Sequence, residues 1–249
     1  VAADPLMGVI DPAGNVLWQG KGEVADFRSI GQALKVSQDG KTVDFALLPK
    51  GKQPVRFSMA SARLTRDPEP DNSLKPPSTS GKGVYLRKGE KPEFGGKALE
   101  LDKWERWHGA AVVPGSDHLL LATDDYIRLF DKEGNLVRKT KVSTVWGINV
   151  SGDGRLVVAA HSNTIRWYRV SDGEELLALF TKGDGSQWVA WTPKGYFMAS
   201  ENAVDLMGWQ VNRGDDEVPD FYSFSYFTDK LGRPDVVKRV LDTLDEDEA

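Results

Sequence analysis

The chain has 249 residues, 40% hydrophobic and 28% charged, with a formal charge of −5. That length can bury the core of one large all-β domain or of two smaller ones. The absence of cysteine excludes disulfides, thiolate metal sites and cysteine nucleophiles. Five acids lie between Asp242 and Glu248, so the rest of the chain is near neutral, which argues against a large electrostatic footprint for nucleic acid or anionic membrane. No apolar run reaches transmembrane length. The opening "VAADPLMGVI" lacks a basic start and a long apolar stretch, so no signal peptide is expected. The compartment stays open, bacterial cytoplasm or periplasm.

In chain order, "LMGVIDPAGNVLWQG" reads as two strands around a turn at Asp11 to Asn15. "ALKVSQDGKTVDFALLPKGKQPVRFSMASARLT" (33–65) adds several more strands, with Asp39-Gly40 as a hairpin turn. "DPEPDNSLKPPSTSGKG" (67–83) holds four prolines and little that is apolar, which predicts an extended, mobile insertion. "VYLRKGEKPEFGGKALELDKW" contributes two short β-like pieces.

Three repeats follow, starting at Pro114, Ser151 and Pro193. Each has a small turn, then an apolar run ("HLLLAT", "RLVVAA", "YFMAS"). A second run then ends on Phe130, Trp167 or Trp209, sixteen positions from the start in all three. Another apolar strand precedes each: "GAAVV", "WGINV" and "WVAWT". With an outer strand such as "NLVRKTKV" or "ELLALF", each unit holds four strands in roughly forty residues, the plan of a β-propeller blade. The N-terminal piece matches only the second half of a unit. It either completes the last blade and closes the ring, or follows earlier blades. Trp188, Trp191 and Trp209 fill positions that other units give to apolar residues, so they are expected in the packing.

"FYSFSYF" (221–227) comes next. Alternation predicts Tyr222, Phe224 and Tyr226 on one face, and these three are the candidate partner-binding residues. "RPDVVKRVLDTL" reads as a helix, with Pro234 at its first position and Val236, Val237, Val240, Leu241 and Leu244 forming an apolar stripe. The acidic end suits a helix C-terminus poorly, which suggests that the native chain continues. Two regions are expected: a propeller over 1–212, carrying the Pro-rich insertion at 67–83, and an aromatic segment, helix and acidic tail over 213–249.

"QWVAWTPKGYFMAS", "DLMGWQVNRG" and "RPDVVKRVL" together resemble the closing part of the WD-repeat propeller in bacterial caspase-like proteins. The resemblance implies an all-β, WD-repeat-like propeller of four to five visible blades, possibly partial, with a short C-terminal helix. It implies a noncatalytic scaffold or regulatory module attached to a caspase-like protease further along the full-length chain. The Trp-Asp and Gly-His pairs of typical WD repeats are missing, so their Asp–His–Ser–Trp network is not expected.

A search for chemistry adds nothing to this. His108, His118 and His161 have no ligand spacing, "GKT" at 40–42 lacks the rest of a P-loop, and no Gly-x-Ser-x-Gly elbow occurs. No enzyme activity, cofactor or metal is expected. The predicted partner is a protein or peptide, with self-association if the ring is incomplete. The alternative is a propeller hydrolase or lyase with its site in the central channel.

Overall fold

The apolar runs of the repeats are strands buried on both faces, which is why they do not alternate. A computed structural model describes the chain except residues 1, 4, 5, 80–82, 88, 89, 202, 204–207, 215 and 216, and the side chains of residues 2, 3, 6–8, 19, 21 and 224. The fold is all-β with a short C-terminal helix. An N-terminal sheet holds β1 (Ala2–Ala3), β2 (Leu6–Ile10) and β3 (Val16–Lys21). Sheet A holds β4 (Lys35–Val36), β5 (Thr42–Leu48), β6 (Lys52–Ser58) and β7 (Arg63–Arg66). Sheet B is small, with β8 (Val84–Tyr85), β9 (Glu93–Phe94) and β10 (Lys97–Ala98). Sheet C holds β11 (Trp107–Val112), β12 (Leu119–Thr123), β13 (Tyr126–Phe130) and β14 (Leu136–Lys141). Sheet D holds β15 (Gly147–Val150), β16 (Leu156–Ala160), β17 (Thr164–Arg169), β18 (Glu175–Thr181), β19 (Trp188–Trp191) and β20 (Phe197–Ala199). A hairpin of β21 (Gly208–Val211) and β22 (Asp220–Ser223) leads to helices α1 (Thr228–Leu231) and α2 (Pro234–Thr243). All strand pairs within these sheets are antiparallel.

Sheets A, B, C and D pack face to face. Leu120 and Ala122 of β12 meet Val157 and Ala159 of β16, while Leu119 and Leu121 point the other way onto Phe94 of sheet B. Leu156 and Val158 of β16, with Ile165 and Trp167 of β17, face Val43, Phe45 and Phe57 of sheet A. The spatial order is therefore B, C, D, A, whereas the chain order is A, B, C, D. Trp167 Nε1 donates to the Gly40 carbonyl at 2.8 Å, tying the last full unit to the first. The first strands of C and D lie so close that a Cβ on Gly109 would stand 3.5 Å from Gly147 Cα. Helix α2 lays Val237, Val240 and Leu241 on the core shared by A and D, as its stripe predicts.

The Pro-rich segment differs from expectation. Leu74 is 4% exposed, and Val36 and Lys75 exchange both backbone hydrogen bonds at 2.9 Å. Asn149 of β15 donates to the carbonyls of Leu34 and Lys75, and Val112 of β11 donates to that of Ser78. Residues 67–79 thus form a strap across the first strands of A, D and C. Its one large apolar residue finds a buried seat, and its carbonyls accept donors that those strands leave over.

The segment "WVAWT" also differs. It does not open a separate sheet, because β19 pairs with β18 from Ala178↔Trp191 to Thr181↔Trp188. A tight turn between them, closed by Lys182 N–H on the Gln187 carbonyl at 2.9 Å and carrying Gly185 at φ 68°, keeps the two strands adjacent.

The N-terminal sheet has three strands where two are expected, but its turn repeats that of the later unit. Asn15 donates its backbone N–H and side-chain amide to the Asp11 carboxylate, both at 2.8 Å. Asn135 does the same to Asp131 in the turn between β13 and β14, at 2.8 and 3.0 Å. Yet Val9, Ile10, Val16, Leu17 and Trp18 are exposed and belong to no core cluster. Among the described residues no helix is long and apolar enough to cross a membrane.

Candidate functional site

The aromatic segment is not one strand. It pairs as β22 only to Ser223, with Trp209↔Tyr222 in register, and then turns into a 3-10 turn over Phe224–Phe227. Alternation therefore stops at Ser223. The turn brings Tyr226 back over Tyr222, with centroids 4.7 Å apart, and sets Phe227 against both. Trp209 closes the group edge-on to Phe227 at 5.5 Å and packs over Gly195. Edge-to-face contacts of this kind suit the ring quadrupoles. Tyr222 is half-buried and donates to Asp220 Oδ2 at 3.2 Å, while Tyr226 remains 66% exposed. The side chain of Phe224 lies outside the described residues. Phe221, which the predicted face leaves out, is 72% exposed, and Val211 and Val218 are exposed beside it. The Trp209, Tyr222 and Phe227 rings thus support the exposed ring of Tyr226, and Phe221 adds a second exposed ring on the same hairpin.

A second arrangement has the outline of catalytic chemistry. Ser143 Oγ lies 3.0 Å from His161 Nδ1, and His161 Nε2 lies 2.8 Å from the Tyr168 hydroxyl. These groups border a cleft of about 400 Å³ between β14 and β17–β18, where Arg166 NH1 also reaches both Glu175 oxygens at 2.8 Å. A hydroxyl, an imidazole and an orienting group make up the pattern of an activated nucleophile. Burial, helped by the Arg166 charge, pushes His161 down to about 3. Burial raises the Tyr168 hydroxyl above its ordinary value. An effective general base titrates near working pH, so His161 is poorly matched to that task. Tyr168 packs in the core between sheets C and D, and Ser143 lies in the segment joining them. The trio is a polar tie between sheet D and the segment that leads into it, built from residues eighteen and seven positions from His161 in sequence. Of the other histidines, His108 is 2.7 Å from Asp124 Oδ1. Among the described residues no group of three or more His, Asp or Glu could hold a metal.

No family model and no curated protein matches the chain. Among solved structures it is similar to hydrazine synthase of Kuenenia stuttgartiensis, at 14% identity and a TM-score of 0.28. The match covers 82% of this chain and 48% of that one, so the chain spans about half the length of that relative. At this TM-score the likeness bears on neither fold nor activity.

Proposed function

We propose that the chain is a WD-repeat-like β-propeller segment that binds a protein or peptide and has no catalytic role of its own, serving as a scaffold or regulatory module for a caspase-like protease. The propeller reading is supported by antiparallel meanders stacked face to face, with β4, β15 and β11 together along one edge. The binding reading rests on one observation, the aromatic hairpin. Phe221 and Tyr226 stand in water although each carries a large apolar area, and the Tyr222 and Phe227 rings hold Tyr226 in place. Exposed aromatics on a prearranged support are the composition of interaction surfaces. Against a hydrolase or lyase with a channel site stands the strap, which crosses the strands that would line such a channel.

Replacing Tyr222, Phe224 and Tyr226 with Ser tests the reading. Affinity for the partner protein, measured by calorimetry, is expected to fall at least tenfold, the effect of about 1.4 kcal/mol. The melting temperature of the stacked sheets is expected to stay within a few degrees. Unchanged affinity in a folded variant would reject the surface.

A further inference from the structure

Trp104 occupies the third position of a β-turn that Glu105 N–H closes on the Asp102 carbonyl at 3.1 Å. Its φ is 74°, and positive φ at that position is glycine's place. The indole is 85% exposed, so no burial offsets the backbone strain. Leu244, another large apolar residue at positive φ, differs in that it packs against the core of A and D.

The turn is held rigidly from beneath. Asp102 N–H donates to Glu105 Oε2 at 2.8 Å. The Glu105 side chain is 1% exposed, and its carboxylate accepts from Arg128 Nε at 3.0 Å and Thr123 Oγ1 at 2.5 Å. Asp102 in turn pairs with Arg128 at 3.0 Å and Lys139 at 2.5 Å. A buried ion pair costs desolvation of both charges. Strain and desolvation both lower stability here, and what they hold in place is a single indole in water. Residues kept in sparsely populated backbone regions concentrate at ligand contacts.

We propose that Trp104 is a preformed anchor, separate from the aromatic hairpin, for an extended acidic peptide segment of a protein partner. The segment lays an apolar residue on the indole face and continues into the adjoining hollow. That hollow, about 270 Å³, is lined by Leu101, Phe130 and Leu136, with Lys97, Lys139 and Glu100 also in its wall. Charge selects the acidic partner. The Asp102 and Glu105 carboxylates are taken up by Arg128 and Lys139, and Lys97 offsets the charge of Glu100 in the lining, whereas Lys103, 5.3 Å from the indole centroid, has no ion-pair partner among the described residues. Tryptophan is the side chain most enriched where truncation abolishes binding, and a rigid support lowers the ordering cost of association.

The test pairs stability with binding. Trp104→Gly removes the strain and keeps the turn, so its melting temperature should rise above that of the wild type. A random-peptide phage library is selected on the wild-type chain, and the enriched peptides are measured by calorimetry. They are expected to carry acids beside an apolar residue. They should bind Trp104→Gly about tenfold or more weakly, bind Lys103→Glu more weakly, and bind Tyr226→Ser as they bind the wild type. A lower melting temperature for Trp104→Gly would make the indole structural and overturn the anchor. So would enriched peptides that bind Trp104→Gly undiminished, or a selection that enriches none.

Discussion

His161 is 2% exposed and stays neutral in the fold down to about pH 3, against 6.5 for a free imidazole. Below pH 6.5 the unfolded chain therefore binds more protons than the folded one. Stability is full above that pH and declines as the pH falls toward 3, by about 1.4 kcal/mol per unit. Carboxylates titrate lower, so the interval from about pH 6.5 to 4.5 belongs mainly to imidazole. Urea midpoints followed over that interval should fall more steeply for the wild type than for His161→Gln. Parallel curves would show that the His161 charge is accommodated. The sequence does not announce this group, because Ser143 meets it only once the segment between β14 and β15 folds back over sheet D, and Tyr168 only once β16 and β17 pair. Trp104 is equally silent in sequence, since the glycine that ordinarily marks a positive φ is absent there. The reverse holds for Trp188, whose place in an apolar repeat position predicts its burial against Phe57 at 4.9 Å.

Among elements, the strap is the most exposed to a single substitution. Leu74 is its one large apolar contact, and it is buried. Leu74→Ala should cost roughly 2–5 kcal/mol in urea unfolding, with the loss of ties from Val36, Asn149 and Val112 to the strap carbonyls. A cost under about 0.5 kcal/mol would mean that the strap holds on through its backbone alone. Proline content marks this segment as loop but says nothing of where its carbonyls find donors. Turn chemistry is far more legible. Asp11 to Asn15 and Asp131 to Asn135 share spacing, residue types and hydrogen bonds. The 3-10 turn at Phe224–Phe227 is illegible by alternation, because its residues are as apolar as those of the strand before it.

Across the whole molecule, sheet D lies between C and A, and every residue of β16 is buried. The described side chains of the N-terminal sheet belong to no core cluster. Amide exchange should be slowest in β15 to β18 and fastest in β2 and β3, since local opening follows packing. Rapid exchange in β16 would contradict the stack. The stacking itself is foreshadowed by the repeats, whose uninterrupted apolar runs demand cover on both faces. The order of the sheets in space is not, because nothing in residues 33–65 says that they will lie against residues 151–181 and not against their neighbours in sequence.

That arrangement has a cost during synthesis. The carbonyl of Gly40 waits for Trp167, 127 residues later in the chain. A ribosome adds roughly 5–20 residues per second, so the apolar face of Val43, Phe45 and Phe57 stays uncovered for on the order of ten seconds after it emerges. Over that interval the nascent chain is a sticky half-product, and its yield in a cell depends on what shields that face until the last strands arrive.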